Sequence, residues 1–375
     1  MKIGILTHIL STNYGGLLQN YALQTILREL GHKPVTLNHK DADPLKTKIL
    51  SVASRVVRTL KGEKIPLRIW PTKKERDVMA QNVAPFTHKY INTTPEFKMR
   101  YISLYAPKDL DAIIVGSDQV WNVKYIKPIE QFFLSDFQNT CIKRIAYAAS
   151  FGMNTWQYTK SETINCSNLA KQFNAISVRE TSGIGYCKDY LDVDAELVLD
   201  PTLLISPDYY VNLVEKADLE SLPSKTMMVY ILDKSPYKVA IIKYISSGLG
   251  LTTHSVMAEE QFKDVGRSQL CRCIYPRVER WIQGFMESEF VVTDSFHGTV
   301  FSIIFNKPFI ALLNKNRGSD RFTSLLNMLN LDSRLATTID EASKALQSEI
   351  NYKEVNQLLQ VQRMKSIDFL KNSLR

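Results

Sequence analysis

VVTDSFHGTVFSIIFNKPFIAL, residues 291–312, decides the fold. Phe290 to Val292 are apolar and suited to a buried strand. Thr293-Asp294-Ser295 is a polar break. Thr299 to Phe305 then reads as an apolar helix, which Lys307-Pro308 stops before a second apolar run. A strand, a helix and a strand, all apolar, make a βαβ unit of a parallel sheet covered on both faces. One histidine, His297, sits at the entry to the helix, with Gly298 behind it.

The same alternation recurs on the N-terminal side. KIGILT reads as a first strand and HILSTNYGG as a polar, glycine-containing loop. LLQNYALQTILRELG reads as a helix, with Leu17, Tyr21, Leu23, Leu27 and Leu30 near helical spacing and Gly31 as its C-cap. KPVTLN follows as a strand, then DAIIVG (111–116), RIAYAAS (144–150), AISVRE (175–180) and AELVLD (195–200). Asp200-Pro201 stops the last of these, and 205–224, with Pro207, Pro223 and mixed charge, reads as a connection. A second series begins at TMMVYIL (226–232) and runs through the opening stretch; about 340–375 is helical and polar. The expected architecture is α/β. Two doubly wound Rossmann-like domains, 1–205 and 206–345, face a central cleft, and a helical tail covers 346–375. Ligands of such sheets bind beyond the carboxyl ends of the strands.

Composition narrows the classes. The chain has 375 residues, 45% hydrophobic and 23% charged, enough for sizeable cores. Its five cysteines are scattered, and Cys271 and Cys273 lack the second pair of a zinc site. They read as reduced thiols, which implies a cytoplasmic setting. No apolar run approaches a membrane span, and MKIGILTHIL fits a buried strand better than a signal peptide. The net charge is +9, and much of the excess lies at 46–76. There Ile49, Val52, Val56 and Leu60 can share a helix face beside Arg55, Arg58 and Lys61. That segment is either a solvated face or a peripheral contact with an anionic membrane or substrate. No module or aromatic interleaving marks it for nucleic acid.

Several strands end in small polar groups. His297 and Gly298 open a helix whose free N–H groups favour an anion, and Ser295 either caps that helix or binds a phosphate. Asp118, after IIVGS, is either a helix N-cap or a general base. Arg179 is either an ion-pair partner or a fork for a carboxylate or phosphate. Arg317 and Arg321 are either a solvated turn or an anion clamp. The pair Gly15-Gly16 falls short of a dinucleotide fingerprint, and there is no P-loop.

Five segments together resemble the polysaccharide pyruvyl transferase family: TNYGGLLQNYALQTIL, IIVGSDQVWN, RIAYAASFG, AISVRETSG with LVLDPTLL behind it, and VVTDSFHGTVFSIIFNKPFIAL followed by RFTSLL. They span nearly the whole chain in order; 41–100 and 205–280 carry little of the likeness. The resemblance implies a GT-B-like pair of domains and transfer of the enolpyruvyl group of phosphoenolpyruvate to a hexose. The expected product is a pyruvate ketal on a bacterial capsule or exopolysaccharide or its polyprenyl-diphosphate-linked precursor. By the same resemblance His297 is the acid/base, with Asp118 a less firm second catalytic group. Arg179, Ser295, Gly298, Arg317 and Arg321 are expected to hold the donor; Ser295 departs from relatives that carry a basic residue there. The acceptor side is expected at Asn13, Tyr14, Gly15, Gln19 and Ser117. No cofactor and no metal is implied. The competing readings are a GT-B glycosyltransferase using a nucleotide sugar and a non-catalytic glycan-binding relative.

Overall fold

The computed structural model describes residues 1–40, 70–138, 140–313 and 318–375. Most of the basic segment, including Arg55, Arg58 and Lys61, lies outside the described residues, as does Arg317.

Two parallel sheets carry the chain. The first has the order β2-β1-β5-β6-β7-β8. Its strands are β1 (Lys2–Leu6), β2 (Lys33–Thr36), β5 (Ala112–Asp118), β6 (Lys143–Ala149), β7 (Ala175–Val178) and β8 (Glu196–Leu197). A small ribbon pairs β3 (His39–Lys40) with β4 (Phe97–Lys98). The second sheet has the order β10-β9-β11-β12-β13. Its strands are β9 (Thr226–Tyr230), β10 (Thr252–His254), β11 (Phe290–Thr293), β12 (Phe309–Leu312) and β13 (Leu335–Ala336). Every pairing is parallel. The fold is therefore two doubly wound α/β domains of the GT-B kind with a helix at the C-terminal end.

The opening stretch forms the expected βαβ unit, β11–helix Phe296–Ile304–β12, and all nine helical residues are buried. Apolarity on every side of that helix suits it to a position between layers rather than on a surface. The helix Tyr14–Glu29 is likewise buried from Tyr14 to Leu27. It ends in a Schellman motif: Gly31, at φ +82°, donates to Arg28 O, and His32 donates to Leu27 O (both 2.9 Å). One continuous apolar core runs from this helix (Leu17, Leu18) through Trp281 and Phe301 of the second domain. Separate clusters fill the outer faces of each sheet.

Two expectations change. The stretch 205–224 is not only a connection, since Pro207–Glu215 is a helix capped by Ser206. Its proline occupies the first helical position, where a missing N–H costs nothing. AELVLD pairs only at Glu196–Leu197, and its last residues leave the sheet to form a turn at Asp200. The helix Tyr352–Ser373 leaves the second domain and packs on the first. There Ser366 Oγ accepts from Leu199 N (2.9 Å) and Arg363 Nε donates to Leu203 O (2.8 Å). Among the described residues no helix is long and apolar enough to cross a membrane.

Candidate functional site

Each sheet reverses its winding once, between β1 and β5 in the first and between β9 and β11 in the second. Crevices open beyond the carboxyl ends of strands at such switch points. Here the two switch points face each other across one cleft of about 500 Å³. His8, Asn13, Asp118 and Tyr125 line it from the first domain, and Tyr230, Ser295, His297 and Arg321 from the second.

His297 stands in the first turn of the helix Phe296–Ile304, which Ser295 caps through Gly298 N (3.4 Å). The ring is nearly buried. Its Nε2 is sealed from solvent and lies 3.7 Å from Asp200 Oδ2, which leaves Nδ1 towards the cleft. Gly15 of the other domain touches that side: a Cβ at Gly15 would lie 2.1 Å from Nδ1. Only a residue without a side chain lets the two domains approach so closely here.

Behind His297 runs a chain of buried charges. Arg179 donates through one terminal nitrogen to Asp200 Oδ2 (2.7 Å) and through the other to Asp118 Oδ1 (2.6 Å). Asp200 Oδ2 also accepts from Ser117 Oγ (3.0 Å), and its Oδ1 accepts from Thr202 N (3.1 Å) and Oγ1 (2.7 Å). Burial by itself would raise both carboxyls. For Asp118 the Arg179 guanidinium outweighs it, and for Asp200 the His297 imidazole and Arg179 do; both carboxyls sit far below the ordinary range. Two guanidiniums lie over the Phe296 ring, with Arg179 Cζ at 4.6 Å and Arg321 Cζ at 5.9 Å from its centroid. Burial and the nearby Arg179 lower Arg321 to about 10, so it stays cationic at neutral pH.

The cleft brings together Asn13, Tyr14, Gly15, Asp118, Ser295, His297 and Arg321 of the expected set. Others stand elsewhere. Arg179 does not line the cleft; its fork is filled by two carboxylates, so the expectation that it opens towards an anion is corrected. Asp118 is no helix cap, because it ends β5 at φ +70° with no helix following directly. Its Oδ1 is engaged by the Arg179 guanidinium (2.6 Å), which holds it as a carboxylate. Gln19 and Ser117 are wholly buried and tie β1 to β5. Gln19 Nε2 donates to Thr7 Oγ1 (2.9 Å), and its Oε1 accepts from Ser117 N (3.1 Å). Neither can meet an acceptor directly. Tyr14 lines the cleft but is mostly packing: its hydroxyl donates to Pro276 O (2.8 Å) and its ring stacks on Trp281. Gly298 is buried against Thr293, where a Cβ would lie 2.1 Å from Oγ1.

Sequence reasoning missed Asp200, read only as a strand stop, and the cleft residues His8, Tyr125 and Tyr230. Asp200 had a signal, since it follows an apolar strand at the carboxyl edge where ligands gather.

Asp294, just after β11, is held by donors of the second domain itself. Its Oδ1 accepts from Leu232 N (2.6 Å), and its Oδ2 accepts from Asp233 N (3.2 Å) and Lys238 Nζ (2.5 Å). Two backbone N–H groups and a lysine at a βα switch point are the groups that bind phosphate elsewhere. Here the chain's own carboxylate takes them.

Among solved structures the chain is similar to UDP-N-acetylglucosamine 2-epimerase from Rickettsia bellii, at 10% identity and TM-score 0.50, covering 100% of this chain and 97% of that one. It is also similar to the Neisseria meningitidis UDP-GlcNAc 2-epimerase bound to UDP-GlcNAc, at 9% identity and TM-score 0.46, covering 98% and 94%. At such identities the first likeness speaks for the fold alone. Comparison with curated proteins returns no match. The family model described as polysaccharide pyruvyl transferase matches residues 13–316, a span that holds His297, Asp200, Arg179 and Asp118 together, and the chain belongs to that transferase family.

Proposed function

We propose that the protein transfers the enolpyruvyl group of phosphoenolpyruvate to a hexose of a polysaccharide or its lipid-linked precursor, forming a pyruvate ketal and releasing phosphate. The observation that carries this reading is His297, which lines a cleft holding a buried arginine and has its Nε2 3.7 Å from a buried carboxylate.

Phosphoenolpyruvate is a small anion with a phosphate and a carboxylate. Arg321 and the free N–H groups of Phe296 and His297 at the helix start are the matching donors. In the first half of the reaction, protonated His297 gives its Nδ1 proton to the methylene carbon, which becomes a methyl group. A sugar hydroxyl bonds to C2, and the now neutral ring takes that hydroxyl's proton. In the second half, another hydroxyl of the same hexose displaces phosphate from C2, and its proton leaves with the phosphate. Asp200, 3.7 Å from Nε2, places a negative charge behind the ring that favours its protonated form; Arg179, Ser117 and Thr202 hold Asp200 still. His8, Asn13, Tyr125 and Tyr230 supply hydroxyl, amide and ring surfaces for the sugar.

Asp294 weighs against a nucleotide-sugar donor. A diphosphate bound there would have to displace a carboxylate that already holds two N–H groups and a buried lysine. The test is incubation with phosphoenolpyruvate and a panel of glycan acceptors. Phosphate release that depends on acceptor, with a product heavier by pyruvate less water, supports the reading. Nucleotide release from a sugar donor, or acceptor binding without turnover, overturns it.

A further inference from the structure

Arg321 reaches the cleft from the helix Asp320–Met328 of the second domain, yet the start of that helix is anchored to the first. Asp320 Oδ2 accepts from Ser182 N (3.1 Å), and Ser324 Oγ accepts from Thr181 N (2.9 Å). Asn154 closes the other side, donating to Ser319 Oγ (2.7 Å) and accepting from Asp320 N (3.4 Å). Between them Gly318, at φ +74°, meets Gly152 of the first domain, at φ +69°; a Cβ on Gly318 would lie 2.4 Å from Gly152 O.

Thr181 and Ser182 open the helix Thr181–Tyr186, whose first N–H groups lack intrahelical partners. The residue before it, Glu180, makes no side-chain cap. Its Oε1 instead accepts from Phe151 N (2.8 Å) and Gly152 N (3.4 Å). The cap therefore comes from the other domain. Asp320 and Ser324 are four residues apart and share one helix face, and Arg321 follows Asp320 directly.

We propose that Asp320 is a positioning residue. By capping the other domain's helix it holds Arg321 in the cleft, so the anion-binding site is complete only when the domains are closed on this contact. The proposal rests on the reading of Arg321 as the donor's partner. A donor seated on Arg321 also faces the first-domain wall of the cleft at His8 and Asn13, so it binds the closed form better and draws the equilibrium towards closure. Apparent affinity then scales with the closed fraction.

The experiment uses the full chain, with phosphoenolpyruvate as probe, in calorimetry, steady-state kinetics and small-angle scattering. If Asp320→Ala with Ser324→Ala lowers the closed fraction to about a tenth, donor Kd and KM rise on the order of tenfold. At saturating donor, where the cleft is closed, kcat and acceptor KM should both stay within about twofold. Asp320→Asn keeps an acceptor oxygen and should recover most of the affinity. The double variant should have a larger radius of gyration than wild type and contract only at higher donor concentration. A double variant as compact as wild type, or one that binds phosphoenolpyruvate unchanged while Arg321→Met does not, overturns the latch. If wild type binds no phosphoenolpyruvate, the functional reading falls, and the ligand-free scattering still decides the latch.

Discussion

Gly15→Ala sets helix stability and catalysis in opposition. Gly15 lies in the first turn of a helix with ordinary backbone angles, where alanine is favoured over glycine by up to about 1 kcal/mol. The new methyl, however, would sit 2.1 Å from His297 Nδ1, 2.3 Å from Cγ and 2.7 Å from Cε1. Ordinary contact begins near 3.4 Å, so the ring or the whole second domain must withdraw by more than 1 Å. Withdrawal moves Nδ1 off the reacting carbon and lengthens or redirects the 3.7 Å approach of Nε2 to Asp200. A displacement of about 1 Å at a reacting centre costs on the order of a hundredfold in rate. The assay pairs kcat/KM for phosphate release with a melting curve. The expectation is a fall of roughly two orders of magnitude in kcat/KM with Tm changed by no more than a few degrees. Wild-type turnover in the folded variant would refute the close approach of Gly15 to the imidazole.

Three further outcomes follow from the same network. His297→Ala should lower kcat by roughly two to four orders of magnitude with folding intact, as read by turnover and circular dichroism. Arg179→Met leaves Asp118 and Asp200 buried without their guanidinium and should cost about 3–5 kcal/mol of stability, read from denaturant midpoints; an unchanged midpoint would mean that the ion pairs are not structural. Asp118 and Asp200 have folded pKa values depressed below their ordinary 3.8, so their contribution is complete above about pH 4 and is lost as pH falls below it. Glu180, raised by burial above its ordinary 4.5, acts with the opposite sign as pH rises past that value. The Tm gap between wild type and Asp200→Asn should therefore be widest near neutrality and narrow below about pH 4.

How much was legible follows the range of the interactions. The βαβ unit at 291–312 and the helix end at Gly31 are written in local periodicity and backbone chemistry and stand as read, whereas the helix read from Leu17 begins at Tyr14, within the stretch read as loop. Pro207 misled because a proline marks a helix start as readily as a break. The errors in the site are errors of partnership. Arg179 looked like an open fork because nothing beside it in the chain announces Asp118 and Asp200, which arrive from other strands of the sheet. Tyr14 stood in a polar, glycine-containing stretch, but Trp281, on which it stacks, belongs to the other domain. Gln19 is expected on the acceptor side, whereas the sheet above buries it and supplies Thr7 and Ser117.

The helix Tyr352–Ser373 bears on how the chain is made. Its Phe369 packs near Tyr147, and Ser366 satisfies the buried N–H of Leu199, both in the first domain. During synthesis the ribosome delivers this helix only after the whole second sheet. Until then the first domain carries an uncovered apolar face and an unsatisfied amide. A nascent chain paused anywhere in residues 226–336 would thus hold a finished sheet with an unfinished surface, the condition in which chains aggregate or recruit chaperones. The two domains are separate in architecture, but the surface of the first is complete only once the last helix has arrived.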